Sequence, residues 1–338
     1  MKRIIFTLAA SIITSTLIAC ASTLKASEEN SLSEFKREVT KEYAVGANPT
    51  LQIENKYGNI RIVEGTDNKI TFKIEIIGKG TTAANAKENA ETVSIDFAQS
   101  GDRIIAKTVL KEIRCINCGR ETHYTVVAPK SVTMNLVNKY GNIYLENSTK
   151  PLEVDLKYGN LEANTLANVN IDIKYGNATI NVCEDFNLNS GYGKFKINRA
   201  NRIKVESKYD DFQIGSVSDL TMNTRYTKVK INTLNQSFVC NDFSYCSLDV
   251  SEISPQFSRI KIDARYSNIK LPLDNRHSFK ANLSTRYGKI NAGNLTFNNV
   301  KLGDNARNTQ AINGTVGSNS NPSATVDIST SYGDISFK

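Results

Sequence analysis

One motif returns through most of this chain and limits what it can become. Lys56-Tyr57-Gly58-Asn59-Ile60 recurs as Lys139-Tyr140-Gly141-Asn142-Ile143, Lys157-Tyr158-Gly159-Asn160-Leu161 and Lys174-Tyr175-Gly176-Asn177-Ala178. Weaker copies centre on Tyr192, Tyr209, Tyr226, Tyr245, Tyr266, Tyr287 and Tyr332. From Tyr140 to Tyr287 the steps are 18, 17, 17, 17, 17, 19, 21 and 21 residues. A period of this size means a stack of small units, none of which can bury its apolar face alone.

With each Tyr as position zero, position −6 is apolar in all 11 copies, from Leu51 and Met134 to Val239 and Val326. Position −4 is apolar in 10 of 11, the exception being Asn241, and positions +3 and +5 are apolar throughout. Apolar residues two apart on both sides of the motif mean two strands, each with one buried face. Each copy then reads as strand, tight turn, strand and short return. Stacking the copies in register at a strand spacing of ~4.8 Å buries those faces. The predicted fold is all-β: a single-chain β-solenoid of parallel rungs, each about 17–21 residues long. An ordinary meander would not need the same residue type at the same phase in every copy.

Glycine follows Tyr in 7 of 11 copies, where a corner with positive φ would favour it. Asp210 would tolerate such a corner, and Thr227, Cys246 and Ser267 poorly. By parity with −6 and −4, Tyr is expected inward at the rim of the core, with its hydroxyl reaching water or backbone. Tyr158, Tyr175 and Tyr192 would then belong to a structural ladder; the competing reading is an aromatic strip that binds sugar. The preceding residue is basic in 8 of 11 copies, among them Lys139, Lys157, Lys174, Lys208 and Arg225. It is expected outward, beside acids at −3 such as Asp155 and Asp172. Two readings stand: a self-compensated solvated face, or a basic strip for an anionic polymer.

The N-terminus reads as an export signal, residues 1–19, with basic Lys2 and Arg3 before an apolar stretch too short to span a bilayer. Leu17-Ile18-Ala19-Cys20 looks like a lipobox, which makes Cys20 a candidate lipidation site; plain cleavage after Ala21 or Ala26 is the alternative. The expected location is exported: an outer-membrane or cell-surface lipoprotein, alternatively periplasmic or secreted. Residues 20–39 read as a polar tether. Residues 40–135 read as a β-rich N-terminal cap region, with one short helix over Thr82–Thr92 capped by Thr81 or Thr82. Residues 136–300 carry the solenoid repeats, and 301–323, rich in Asn, Gly and Ser, read as a long surface loop. Residues 324–338 form a final strand pair, expected at the far edge of the sheet or as its closing cap.

No catalytic or metal-binding grouping emerges, and no cofactor is implied. The chain holds only two histidines, His123 and His277, and neither a phosphate-cradling loop nor a Ser/His/Asp set is visible. Cys115 and Cys118 lie between two strand patterns, where an oxidising compartment favours a local disulfide. Free thiols are the alternative, and zinc would lack a fourth ligand. Cys240 and Cys246, six residues apart along one strand, are too far separated to pair. Losing Lys2 and Arg3 with the signal lowers the formal charge from +8 to +6, mild for this length and without the concentrated basic stripe of a nucleic-acid binder. The expected partners are an envelope glycan, a host surface or an envelope protein, the membrane if Cys20 is modified, and no nucleic acid.

The Lys56-to-Ile60 repeat, the exported N-terminus and the Cys115–Cys118 hairpin together resemble the bacterial putative adhesin family over roughly residues 40–338. That resemblance implies a β-solenoid surface protein without an assigned ligand, and it carries over no binding residues. The expectation is therefore a non-catalytic, adhesin-like envelope protein acting as a structural or adhesive surface. The alternative is a periplasmic or surface module that binds a glycan or a signalling partner.

Overall fold

The computed structural model describes residues 32–66, 68–112, 117–302 and 308–338. Strands dominate, and one long sheet takes in most of them. The repeats form stacked rungs, named below by their tyrosines. Residues before the corner pair in parallel with the same phase of the next rung, as in Leu152↔Val169, Val154↔Ile171 and Leu156↔Ile173. Residues after the corner do likewise, as in Leu161↔Ala178 and Ala163↔Ile180.

From the Tyr158 rung to the Tyr226 rung the return is not a loop. The strand that leaves one corner runs without a break into the next, so that Asn160–Lys174, Asn177–Gly191 and Lys194–Lys208 each span 15 residues. A further inward column makes this possible. Eight residues after each Tyr stand Leu166, Cys183, Ala200, Val217, Leu234 and Ile253, all buried. In the Tyr175 rung, Val169, Ile171, Ile173, Ala178, Ile180 and Cys183 are at most 4% exposed. Burying one large aliphatic side chain stabilises by roughly 1.5–3 kcal/mol, and the columns repeat that contribution at every rung.

The Asn241 exception has a local cause. The register between neighbouring rungs slips at Met222/Asn223 and again at Cys240/Phe243, the mark of a β-bulge. Phe238 and Cys240 therefore point inward, while Val239 is half-buried and Asn241 exposed. The expected inward place of Val239 passes to Phe238.

Both ends depart from the expected layout. The first rung, Thr50–Asn55 and Ile60–Gly65, stacks directly on Thr133–Lys139 and Ile143–Ser148. Residues 40–135 thus contain a true rung as well as a cap. Beneath it lies a rung outside the repeat motif, Arg103–Leu110 and Gly119–Pro129, still parallel. Beyond that the pairing turns antiparallel. Lys69–Gly80 lies on Gly119–Pro129, Ser33–Ala44 on Lys69–Gly80, and Val93–Ser100 on Arg103–Leu110. Ser33 onward is therefore strand rather than tether, because Phe35, Val39 and Tyr43 pack on the core end. The helix spans Ala83–Glu91, and the Thr82 side chain accepts from the Asn85 N–H.

At the other end, Thr325–Ser331 does not form the outer edge. It lies between Arg259–Arg265 and Phe279–Arg286, parallel to both. Thr309–Val316 then caps Phe279–Arg286 in the antiparallel sense and carries Phe297–Leu302 outside it. Much of the expected 301–323 loop is thus strand, recruited to cover an open edge. Residues 1–19 and Cys20 lie outside the described residues.

Candidate functional site

The corner of each rung makes a continuous surface feature. Ten of the 11 repeat tyrosines have φ between 50° and 66°, and the exception, the Tyr57 rung, places its positive φ of 111° on Gly58. The left-handed residue at the corner is therefore Tyr itself, not the glycine after it. Such a conformation costs a non-glycine residue roughly 1–2 kcal/mol. It also breaks the alternation on which inward parity was reckoned. The inward place passes to the next residue: Gly176, Gly193, Asp210, Thr227, Cys246, Ser267 and Gly333 are buried, whereas the ten strained tyrosines are 40–55% exposed. The expected inward-facing tyrosine is thus corrected to an outward-facing one.

The rings stack in the order Tyr57, Tyr140, Tyr158, Tyr175, Tyr192, Tyr209, Tyr226, Tyr245, Tyr266, Tyr332 and Tyr287. Neighbouring centroids lie 4.7–5.3 Å apart with planes 4–18° from parallel. Each such contact contributes about 0.5–1.5 kcal/mol, which offsets much of the backbone strain. Every interior ring has a neighbour on both faces. The column therefore shows solvent its ring edges and hydroxyls.

The glycines serve a close approach. A Cβ on Gly159 would fall 2.0 Å from the Gly141 carbonyl oxygen, and one on Gly176 2.1 Å from that of Gly159. Where glycine is absent, side chains take over the corner. The Gly193 N–H donates to Asp210 Oδ1 (2.7 Å), Asp210 N–H to Thr227 Oγ1 (3.3 Å), Thr227 N–H to Cys246 Sγ (3.4 Å) and Cys246 N–H to Ser267 Oγ (2.9 Å). Ser190 Oγ adds a 2.6 Å bond to Asp210 Oδ2. Burial nevertheless raises the Asp210 carboxyl above its ordinary pKa, against these hydrogen bonds.

The basic column flanks the rings. Lys157 and Lys174 reach back to Asp155 (3.8 Å) and Asp172 (3.6 Å), and Arg225 pairs with Asp242 at 2.6 Å. Lys56, Lys139, Lys208 and Arg286 instead lie close to their own tyrosine rings, 5.1–5.6 Å from the centroids. The structure thus brings Lys139, Lys157, Lys174, Lys208 and Arg225 into one line beside Tyr158, Tyr175 and Tyr192. Compensation by acids extends to part of that line only.

On the other flank stands a column that repeat-reading missed. Asn160 Nδ2 donates to Asn142 Oδ1 (3.2 Å) and Asn177 Nδ2 to Asn160 Oδ1 (2.8 Å), forming an amide ladder. Lys194, Asp211 and Lys228 continue it in register. The recurrent Asn after Tyr-Gly was the available signal. Beside Tyr192, Tyr209 and Tyr226 this flank encloses a shallow groove of about 410 Å³.

Other candidate chemistry is dispersed. Cys118 is disulfide-bonded, and Cys115 lies outside the described residues. Cys183, Cys240 and Cys246 are free and buried. His123 contacts Glu121 at 3.0 Å, while His277 is buried against Asp274 and the Ile253 carbonyl. Among the described residues no three His, Cys, Asp or Glu side chains are grouped to hold a metal.

No curated protein matches the chain. Among solved structures it is similar to a putative adhesin from Parabacteroides distasonis, at 10% identity over 89% of this chain and 97% of that one, with a TM-score of 0.43. It is also similar to one from Parabacteroides merdae, at 10% identity over 89% and 96%, with a TM-score of 0.42. A third, from Bacteroides fragilis, has 13% identity over 89% and 97%, with a TM-score of 0.34. The model of one protein family, Toastrack DUF4097, matches residues 48–338, nearly the whole stacked array, and the chain belongs to that family.

Proposed function

We propose that this chain is an exported, non-catalytic envelope protein that works by adhesion, with the tyrosine corner as its contact surface. The supporting observation is the unbroken, solvent-facing column of 11 stacked tyrosines, ten of them at a strained backbone angle. A column kept in line over the whole array offers the same weak contact many times, and repeated contacts on one rigid body gain avidity without any single strong site. Export rests on the N-terminal sequence, with a lipid on Cys20 as the anchor and secretion or periplasmic residence as the other outcomes.

The test is retention of the purified exported form on native envelope fragments. Wild type is compared with Tyr158→Phe/Tyr175→Phe/Tyr192→Phe, which keeps the ring stack and removes three exposed hydroxyls. Several-fold weaker retention with an unchanged melting temperature is expected. Equal retention by both proteins would overturn the corner as the contact surface.

A further inference from the structure

The surface of the corner selects a chemical class of partner. Ring faces that stack on sugars or bases are already taken in every interior tyrosine, so the column has edges, hydroxyls and amides to offer. Single-stranded nucleic acids bind aromatic platforms by stacking their bases on open ring faces, and this column leaves such faces at its ends alone. A ligand that suits edges must itself be rich in hydroxyls along its length.

The charge is equally selective. In the column before the tyrosines, Lys56, Lys139, Lys208, Arg265 and Arg286 are exposed and meet no carboxylate at ion-pair distance among the described residues. In the column two residues after them the same holds for Lys194, Lys228 and Lys289. Asp211 and Asp334 are the acids of that second column. The groove beside Tyr192, Tyr209 and Tyr226 has Lys194 and Lys228 on either side of Asp211. One column of eight bases, three of them paired with acids, and a second column in which Lys194, Lys228 and Lys289 stand among asparagines and two acids therefore border one row of phenol hydroxyls over ten stacking steps, ~48 Å at the strand spacing.

We infer that the tyrosine corner binds a linear, carboxylate-bearing polysaccharide lying along the array, its carboxylates on the flanking cations and its hydroxyls on the tyrosine and asparagine edges. This inference rests on the adhesive reading above and names its partner class. Charge-assisted hydrogen bonds supply the stronger contacts, and release of counterions from the polymer makes them salt-dependent. Rungs in register make successive segments of the polymer equivalent, so it need not stop at one position.

The experiment measures binding of the purified exported form to polygalacturonate, to neutral dextran and to single-stranded DNA, each at two salt concentrations. Polygalacturonate is expected to bind and to weaken steeply with salt, and dextran not to bind. Lys139→Ser/Lys194→Ser/Lys208→Ser/Lys228→Ser should weaken binding on the order of tenfold or more, by loss of several charge contacts to the polymer's carboxylates. Lys280→Ser, an exposed lysine at the opposite end of Phe279–Arg286 from the corner, should leave it unchanged. Dextran binding as well as polygalacturonate, DNA binding as tightly as the polyuronate, or a quadruple variant no weaker than the Lys280→Ser control would each overturn the inference. Envelope retention that depends on the tyrosine hydroxyls while polygalacturonate fails to bind would overturn this inference alone and leave the adhesive surface standing.

Discussion

The rings of Tyr158 and Tyr175 lie 5.1 Å apart and 4° from parallel, although both residues hold a left-handed backbone at φ 55°. Strain and stacking thus occur in the same residues. Tyr175→Ala removes two ring contacts of about 0.5–1.5 kcal/mol each and keeps the strain, for an expected loss of about 1–3 kcal/mol. Tyr175→Phe should stay within about 0.5 kcal/mol of wild type. Tyr175→Gly should be more stable than Tyr175→Ala, because glycine relieves the positive φ. Equilibrium denaturation of the three variants measures this, and a glycine variant less stable than the alanine one would contradict it.

Ile173 and Asp172 are adjacent and opposite in environment. Ile173 is fully buried, while Asp172 accepts from Asn189 at 2.8 Å and neighbours Lys174 on the surface. Ile173→Asp buries an unpaired carboxylate and should cost several kcal/mol. Asp172→Ser loses a surface pair and should cost at most about 1 kcal/mol. Similar melting temperatures for the two variants would show the inward and outward faces to be misassigned.

Asp210 makes stability depend on pH. Its folded pKa is raised by burial, so the folded state holds its proton more tightly than the unfolded chain. The stability this contributes is fully present below the unfolded carboxylate pKa of about 3.9 and is lost as pH rises through the folded value. Asp210→Asn keeps the shape and removes the buried charge. It should melt above wild type at neutral pH, with the difference shrinking as the pH falls through the carboxylate range. Thermal melts across pH would refute the account if the gap widened toward acid.

Burial pushes the thiols of Cys183 and Cys240 up to about 12 and that of Cys246 up to about 11. Since the thiolate is the reactive form, none should be alkylated at pH 8 until the chain unfolds. Mass spectrometry after iodoacetamide treatment, with and without denaturant, counts the modified cysteines. Modification of any of these three in the native protein would contradict their placement.

The reading of Cys20 as a lipid attachment site is checked by mass spectrometry of the N-terminus of the protein recovered from cells. A diacylated or triacylated Cys20 is expected. A free N-terminus at Ser22 or Ser27 would leave the protein without this anchor.

Alternating hydrophobicity made the stacked array legible, because Ile171 and Ile173, or Phe195 and Ile197, repeat one pattern in every copy. It misled at Tyr175, since counting parity assumes an extended backbone and the left-handed corner exchanges the roles of Tyr175 and Gly176. The run Phe238-Val239-Cys240 is apolar throughout, so periodicity could not reveal which member the bulge turns outward. The unpaired cations beside the rings were visible as a repeated Lys or Arg. Which of them lacked an acid depended on side-chain reach, as the contrast between Lys174 and Lys208 shows. The position of the Tyr332 rung was also hidden, because any rung offers the same pattern to any other and chain distance does not choose among them.

The seat of that last rung, between those of Tyr266 and Tyr287, has a consequence for how the protein is made. A chain synthesised from its N-terminus can add rungs one by one only as far as Tyr266. The Tyr287 strands then emerge with their eventual neighbour still to come, and they must wait, or stack provisionally and yield. The Tyr332 strands act as a keystone: the Tyr287 rung and the strands that cap it lock onto the array only once residues 325–337 have arrived, however early the preceding rungs have stacked.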